Sequence, residues 1–161
     1  MNFQLHTLPI LLKRSLVLFL LVLSFGYFSG LDMVKKTTDY KLDGIQENVL
    51  GNEYDDASDV LKFKMSEREL HGIIHSHVIT LSMLFIFLQC LIYFTSIPAS
   101  LKTFLMIEPM LSLLFTFGGL WMLWNGIEWM KFVIMVSGVL MHLSMSAFIF
   151  ILIYHLTFKK A

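Results

Sequence analysis

Four long apolar runs constrain this chain more than any other feature of its sequence. They cover about Ser15–Leu31, Gly72–Phe94, Thr103–Trp124 and Phe132–Tyr154. A helix needs roughly 20 apolar residues to cross the hydrocarbon core of a bilayer. The last three runs meet that length. The first does so if Leu8 to Leu12 extend it and Lys13 and Arg14 snorkel to the interface. Of the 161 residues, 57% are hydrophobic and 15% charged, against about 25% charged in ordinary soluble domains. That composition excludes a disordered chain, a basic nucleic-acid-binding domain and an ordinary soluble enzyme. The single cysteine excludes an internal disulfide and a Cys-rich metal framework.

The charges are confined. Between Leu31 and Leu70 lie ten acidic and six basic residues, whereas the rest of the chain holds only two acids, Glu108 and Glu128. Lysine and arginine in short loops set the orientation of a membrane protein. With both termini cytoplasmic, Lys13, Arg14, Lys102, Lys159 and Lys160 all fall on the inner face, and Lys131 alone among the short-loop residues argues the other way. The expected organisation is an N-terminal anchor helix over residues 1–31, an acidic extracytoplasmic segment over 32–70 and three transmembrane helices over 71–161. A cleaved signal peptide with Ser24-Phe25-Gly26 at its cleavage site is the alternative for the N-terminus. Trp121, Trp124 and Trp129 fall where an outer aromatic belt belongs.

Within the acidic segment, Ser66-Glu67-Arg68-Glu69 matches a capping box, with Ser66 as the N-cap of the second span. Leu61, Phe63 and Met65 alternate with Lys62 and Lys64, which is strand periodicity. Asp43-Gly44 is a turn signal, followed by the short run Ile45–Leu50 as a partner strand. The fold expected is an all-α membrane protein, a four-transmembrane-helix bundle with a small extracytoplasmic cap containing a β-hairpin. Glu53, Asp55, Asp56 and Asp59 lack EF-hand spacing and read as a solvated acidic loop rather than a Ca²⁺ site.

The histidines are the chemically suggestive residues. His71 and His75 share one helical face, and two further heptad steps bring Ser82 and Gln89 onto it. Such a polar stripe is expected to face the bundle interior, because polar groups facing lipid are costly. Leu81, Leu84 and Leu88 lie opposite. The fourth span carries a second stripe, Gly138, His142 and Ser146. His75 and His142, on different helices, are candidate axial ligands of a haem b, with Ser82 and Ser146 as the residues that orient them. Their depths differ, at about 5 Å and about 15 Å below the outer boundary on a rise of 1.5 Å per residue, which counts against level axial ligation. A Cu or Zn site on His71, His75 and His77 is a second expectation. A third is that the histidines only pack.

The third span offers Glu108, Ser112, Phe115 and Gly119 on one face, with Pro109 expected in its first turns, where proline is tolerated. Glu108, Gln89 and His155 form a candidate inner polar cluster, joined by Cys90, which reads as a small buried hydrophobe. Glu108 lies a turn or so from the interface on this reckoning. It must be either protonated or partnered. No phosphate-binding loop, G-x-S-x-G, Cys-x-x-Cys or inverted repeat is present.

The stretches GYFSGLDM, GIQENVLGNE and LKFKMSERELHGIIHSHV together resemble a group of small uncharacterised bacterial inner-membrane proteins. The resemblance implies a four-helix membrane protein with His75-x-His77 at the start of the second span, and no established activity. A more distant likeness to four-helix b-type cytochromes is carried by His75 and His142 alone. Three functions follow as expectations. The first is a His-dependent redox or metal-handling protein, with haem b ahead of Cu or Zn. The second is a non-enzymatic accessory subunit that packs against a membrane-protein partner or its own copies. The third is proton-coupled permeation through Glu108, Gln89 and His155. The bilayer is a partner in all three, nucleic acid in none.

Overall fold

The computed structural model describes residues 4–53 and 60–159, and among these it is all-helical. Asp55, Asp56 and Asp59 of the acidic loop, and Lys160, lie outside the described residues. After one 3-10 turn at Leu5–Thr7 come α1 (Ile10–Thr38), α2 (Leu42–Leu50), α3 (Glu67–Tyr93), α4 (Ala99–Trp124) and α5 (Met130–Thr157). Four of them, α1, α3, α4 and α5, are long and apolar enough to span a membrane. At 26 to 29 residues they run about 39–43 Å, against a hydrocarbon core of about 30 Å.

The helix boundaries follow local chemistry. Pro9 and Pro98, both extended, precede α1 and α4, where a fixed φ and a missing N–H cost nothing. Ser66 caps α3 as expected, its Oγ accepting from the Glu69 amide at 3.3 Å. Two consecutive left-handed residues, Asp39 (φ 50) and Tyr40 (φ 54), end α1. Tyr40 Oη donates to Leu31 O at 2.9 Å. Lys41 sits 2.6 Å from Asp39, and its hydrogen bond and charge hold that carboxyl below its usual range.

In lipid, helices associate through close packing and interhelical hydrogen bonds, because lipid tails are as apolar as leucine. The best-packed helix is α5, which buries Met145, Phe148, Ile149 and Leu152. Phe148 meets Phe85 of α3 with ring centroids 6.3 Å apart. Gly119 of α4 lets α5 approach closely, since a Cβ there would stand 3.0 Å from Ile134 Cγ1. Of α1 only Leu20 is buried, and its exposed Leu18, Val22 and Phe25 form a lipid-facing surface.

Leu5 N donates to Phe94 O at 2.9 Å, and the Lys159 ammonium bonds Ser96 Oγ. The described N- and C-terminal residues therefore meet at one end of the bundle, beside the α3–α4 turn. There Lys102 Nζ donates to Tyr93 O and Thr95 O at 3.0 and 2.7 Å, satisfying carbonyls that a helix end leaves open.

The opposite end corrects the expected hairpin. Residues 42–50 are helical, and no strand exists among the described residues. α2 is amphipathic, and its Ile45 and Val49 pack into a second cluster with Leu123, Met130 and Ile134. The alternating segment at Leu61–Met65 is extended but binds back on the end of α2. Asn52 N donates to Lys62 O at 2.9 Å, and Met65 N donates to Val49 O at 3.0 Å. Trp124 Nε1 donates to Met65 O at 2.7 Å, and Lys64 lies 4.5 Å above the Trp124 ring. Lys131, the charge that argued against the expected orientation, reaches Gln46 Oε1 at 2.7 Å and Asp43 Oδ1 at 3.2 Å.

Candidate functional site

The polar stripe of α3 does not face inward along its whole length. Leu88 and Phe85 are fully buried, and Leu81, Leu84 and Val78 pack on the same core. The face expected to look outward is the packed one. His71 and His75 are exposed, and His71 Nε2 lies 3.7 Å from Glu67. His77 is also exposed, yet its ring sits 5.4 Å from that of Phe117 on α4, and its Nδ1 bonds Ile73 O at 2.9 Å. Ser82 Oγ donates to Ile79 O at 2.9 Å, within its own helix. Gln89 alone of the stripe is buried.

His142 pairs with α1. Its ring centroid is 5.7 Å from that of Tyr27. Tyr27 Oη is 3.1 Å from His142 O and 2.9 Å from Ser146 Oγ. The backbone carbonyl can only accept, so the tyrosine donates to it and Ser146 donates to the tyrosine. Gly138, one turn earlier, faces open space. No hydrogen bond or ring contact among the described residues joins His75 to His142, and no group of three or more potential metal ligands forms there. Tyr27→Phe is expected to cost about 0.6 kcal/mol, the average for a hydrogen bond between membrane helices. Because the two hydroxyls act together, adding Ser146→Ala should cost little more. Thermal unfolding in detergent measures both.

The bundle's principal polar centre is instead at the α4–α5 interface. Glu108 is buried and accepts from two serines: Ser112 Oγ on its own helix bonds Oε1, and Ser144 Oγ on α5 bonds Oε2. Glu108 stands nine residues into α4, about 13.5 Å from its first residue. That is two and a half turns along the helix. Two turns on, Thr116 Oγ1 and Ser137 Oγ are 2.8 Å apart across the same interface.

Pro109 is deeper than expected. It lies inside α4, where it supplies no N–H to Leu105 O, its i−4 carbonyl. Gln89 fills the gap, its Nε2 donating to Leu105 O at 3.3 Å and Met106 O at 3.2 Å. His155 is buried but bonds its own helix, Nδ1–H to Ile151 O at 2.9 Å. Gln89, Glu108 and His155 thus engage three separate sets of atoms. Cys90 is exposed rather than buried. Ser144 was not singled out by the sequence. Its spacing of seven from Ser137, two helical turns, was the signal available.

Glu108, Ser112 and Ser137 form the floor of a groove of 730 Å³ between α4 and α5, walled by Leu111, Phe132, Val136 and Leu140. Its walls are exposed apolar side chains on the outer surface of the bundle.

No curated protein and no solved structure matches the chain. A family model described as a transmembrane helical domain matches residues 39–161, beginning where α1 ends and taking in α2 to α5. The chain is an integral membrane protein and belongs to that family, Aq_1264_TM.

Proposed function

We propose that this is a non-enzymatic accessory protein of the membrane that engages another membrane component through the Glu108 centre. One observation carries the reading. A carboxyl far inside the bundle is bonded by hydroxyls from two helices, beneath a groove with exposed apolar walls. Ionisable groups at that depth are expensive and characteristically mark working sites.

The competing reading is a haem b on His75 and His142, tuned by Ser82 and Ser146, or a Cu or Zn site on His71, His75 and His77. The exposure of His75 and the engagement of Ser146 by Tyr27 favour the accessory reading. An absorbance spectrum of the detergent-purified protein, air-oxidised and then dithionite-reduced, separates the two when metal analysis is made on the same sample. The expected result is a colourless, metal-free protein. A Soret band lost in His142→Ala would overturn it, as would stoichiometric Cu or Zn.

The orientation proposed has both termini on the cytoplasmic side of a bacterial inner membrane, with residues 32–70 outside. Lys13, Arg14, Lys102 and Lys159 at the end where the termini meet support it. The uncleaved N-terminal helix is supported by the burial of Leu5 and Leu20 in the core and by the Leu5 amide donating to Phe94 O. A mature mass that includes the first 26 residues is the expected outcome.

A further inference from the structure

The end of the bundle where the termini meet gathers cations without acids. Lys102 reaches the α3–α4 turn from α4, and its Nζ donates to Tyr93 O and Thr95 O at 3.0 and 2.7 Å. Lys159 reaches it from just beyond α5, and its Nζ donates to Ser96 Oγ. Two ammoniums from different helices are thus anchored on adjacent residues of one turn. Both lysines are half-buried, and with His6 they stand within electrostatic range of the His155 ring. No aspartate or glutamate side chain accompanies them among the described residues. Outside residues 31–70 the sequence has only Glu108 and Glu128. Glu108 is bonded to serines at the α4–α5 interface, and Glu128 lies in the α4–α5 turn at the other end. The ion pairs among the described residues include neither lysine.

The turn lies at the level of lipid headgroups. α4 has 26 residues and overhangs a hydrocarbon core of about 30 Å by about 4.5 Å at each end, which puts Lys102, three residues in, at about the boundary. Tyr93, whose ring Lys102 overlies at 5.7 Å, is exposed, as are Tyr154 and Phe158 just before Lys159. Exposed tyrosines at a helix end mark the membrane interface. A lysine ammonium has three N–H donors. Among the described residues Lys102 uses two and Lys159 one, so three remain for the free oxygens of a phosphodiester. Like charges held together repel, and an anion between them relieves the repulsion. Orientation alone requires cations near the helix ends and not two ammoniums fixed on one turn.

We infer that the α3–α4 turn holds the headgroup of an anionic phospholipid, its phosphate oxygens accepting from Lys102 and Lys159 while its acyl chains enter the bilayer alongside the bundle. Basic pockets between transmembrane helices bind such headgroups. A zwitterionic lipid brings its own ammonium into the same positive field and is disfavoured. The turn is separate from Glu108, and the inference does not rest on the function proposed for that centre.

The test is native mass spectrometry of the full chain in a non-ionic detergent, with dioleoylphosphatidylglycerol, dioleoylphosphatidylcholine and inorganic phosphate as probes. The expected result is one phosphatidylglycerol retained per chain, with a Kd about tenfold below that of phosphatidylcholine, the scale of one hydrogen bond to a charged group. Lys102→Gln combined with Lys159→Gln is expected to lose that preference. Lys13→Gln combined with Arg14→Gln removes two charges from the same end and is expected to keep it. Because Lys102 also closes a helix end, Lys159→Gln is measured alone as well. It should lose part of the preference, and Lys159→Arg should retain it. Equal affinity for the two lipids overturns the inference, as does a preference unchanged in Lys159→Gln or in the Lys102 and Lys159 double variant. A preference that falls as far in the Lys13 and Arg14 double variant would make it a property of net charge and overturn the site. Displacement of the lipid by an equal concentration of inorganic phosphate would make the turn a site for a soluble anion and overturn the lipid assignment.

Discussion

Gly44→Ala is expected to destabilise the junction of α1 and α2 by about 3 kcal/mol, the upper end for overpacking. A Cβ on Gly44 would stand 1.9 Å from Thr38 O, 2.7 Å from Thr38 C and 3.0 Å from Thr38 Cα. All three are backbone atoms, so no rotamer change relieves the collision. α2 must move away from α1 instead. It would then lose the seat of Ile45 and Val49 on Leu123 and Met130, and the bonds of Lys131 to Asp43 and Gln46. Gly126→Ala is the control. Gly126, unlike Gly44, needs a positive φ (92), but nothing lies within 4 Å of its Cβ position, so only the backbone preference of about 1 kcal/mol is lost. Thermal unfolding in detergent should rank the two clearly. Protease sensitivity near α2 should rise in Gly44→Ala alone. Equal effects would mean that the close approach to Thr38 is not what the glycine serves.

The second large effect is expected at Gln89. Gln89→Leu leaves Leu105 O without a donor inside the bundle, because Pro109 cannot supply one. The expected cost is about 1.5 kcal/mol, near the top of the range measured for hydrogen bonds between membrane helices and within the cost of an orphaned buried acceptor. The cause can be isolated with a double-mutant cycle. Pro109→Ala restores an amide that reaches Leu105 O, so Gln89→Leu should cost close to nothing in that background. An undiminished cost there would mean that Gln89 acts on something other than the carbonyl freed by Pro109.

The membrane-spanning helices were legible in the sequence because length and hydropathy suffice to define them, and Ser66 was legible because a capping box is local. The region at Asp43–Met65 was not. Asp43-Gly44 looks like a turn, but the glycine is there because α2 crosses so close to Thr38. The alternation of Leu61, Phe63 and Met65 does reflect an extended chain, but one that binds a helix end rather than a second strand. Pro109 was expected in the first turns and lies deeper, because α4 starts at Ala99, four residues before its apolar run. The histidines drew attention as metal ligands, yet which side of α3 faces inward is set by packing against α4 and α5. Spacing alone gives the faces and not their directions. Only a three-dimensional register could bring Ser144 to Glu108, and Gln89 to the carbonyl that Pro109 frees.

The function proposed above depends on Glu108 being a membrane-embedded carboxyl at the floor of the α4–α5 groove. Labelling the reconstituted protein with a lipid-soluble carbodiimide, followed by peptide mass analysis, tests it most directly. A single dominant adduct at Glu108 is predicted, absent in Glu108→Gln and reduced in Val136→Phe. No adduct at Glu108, or labelling confined to exposed acids such as Glu53 and Glu128, would contradict the claim.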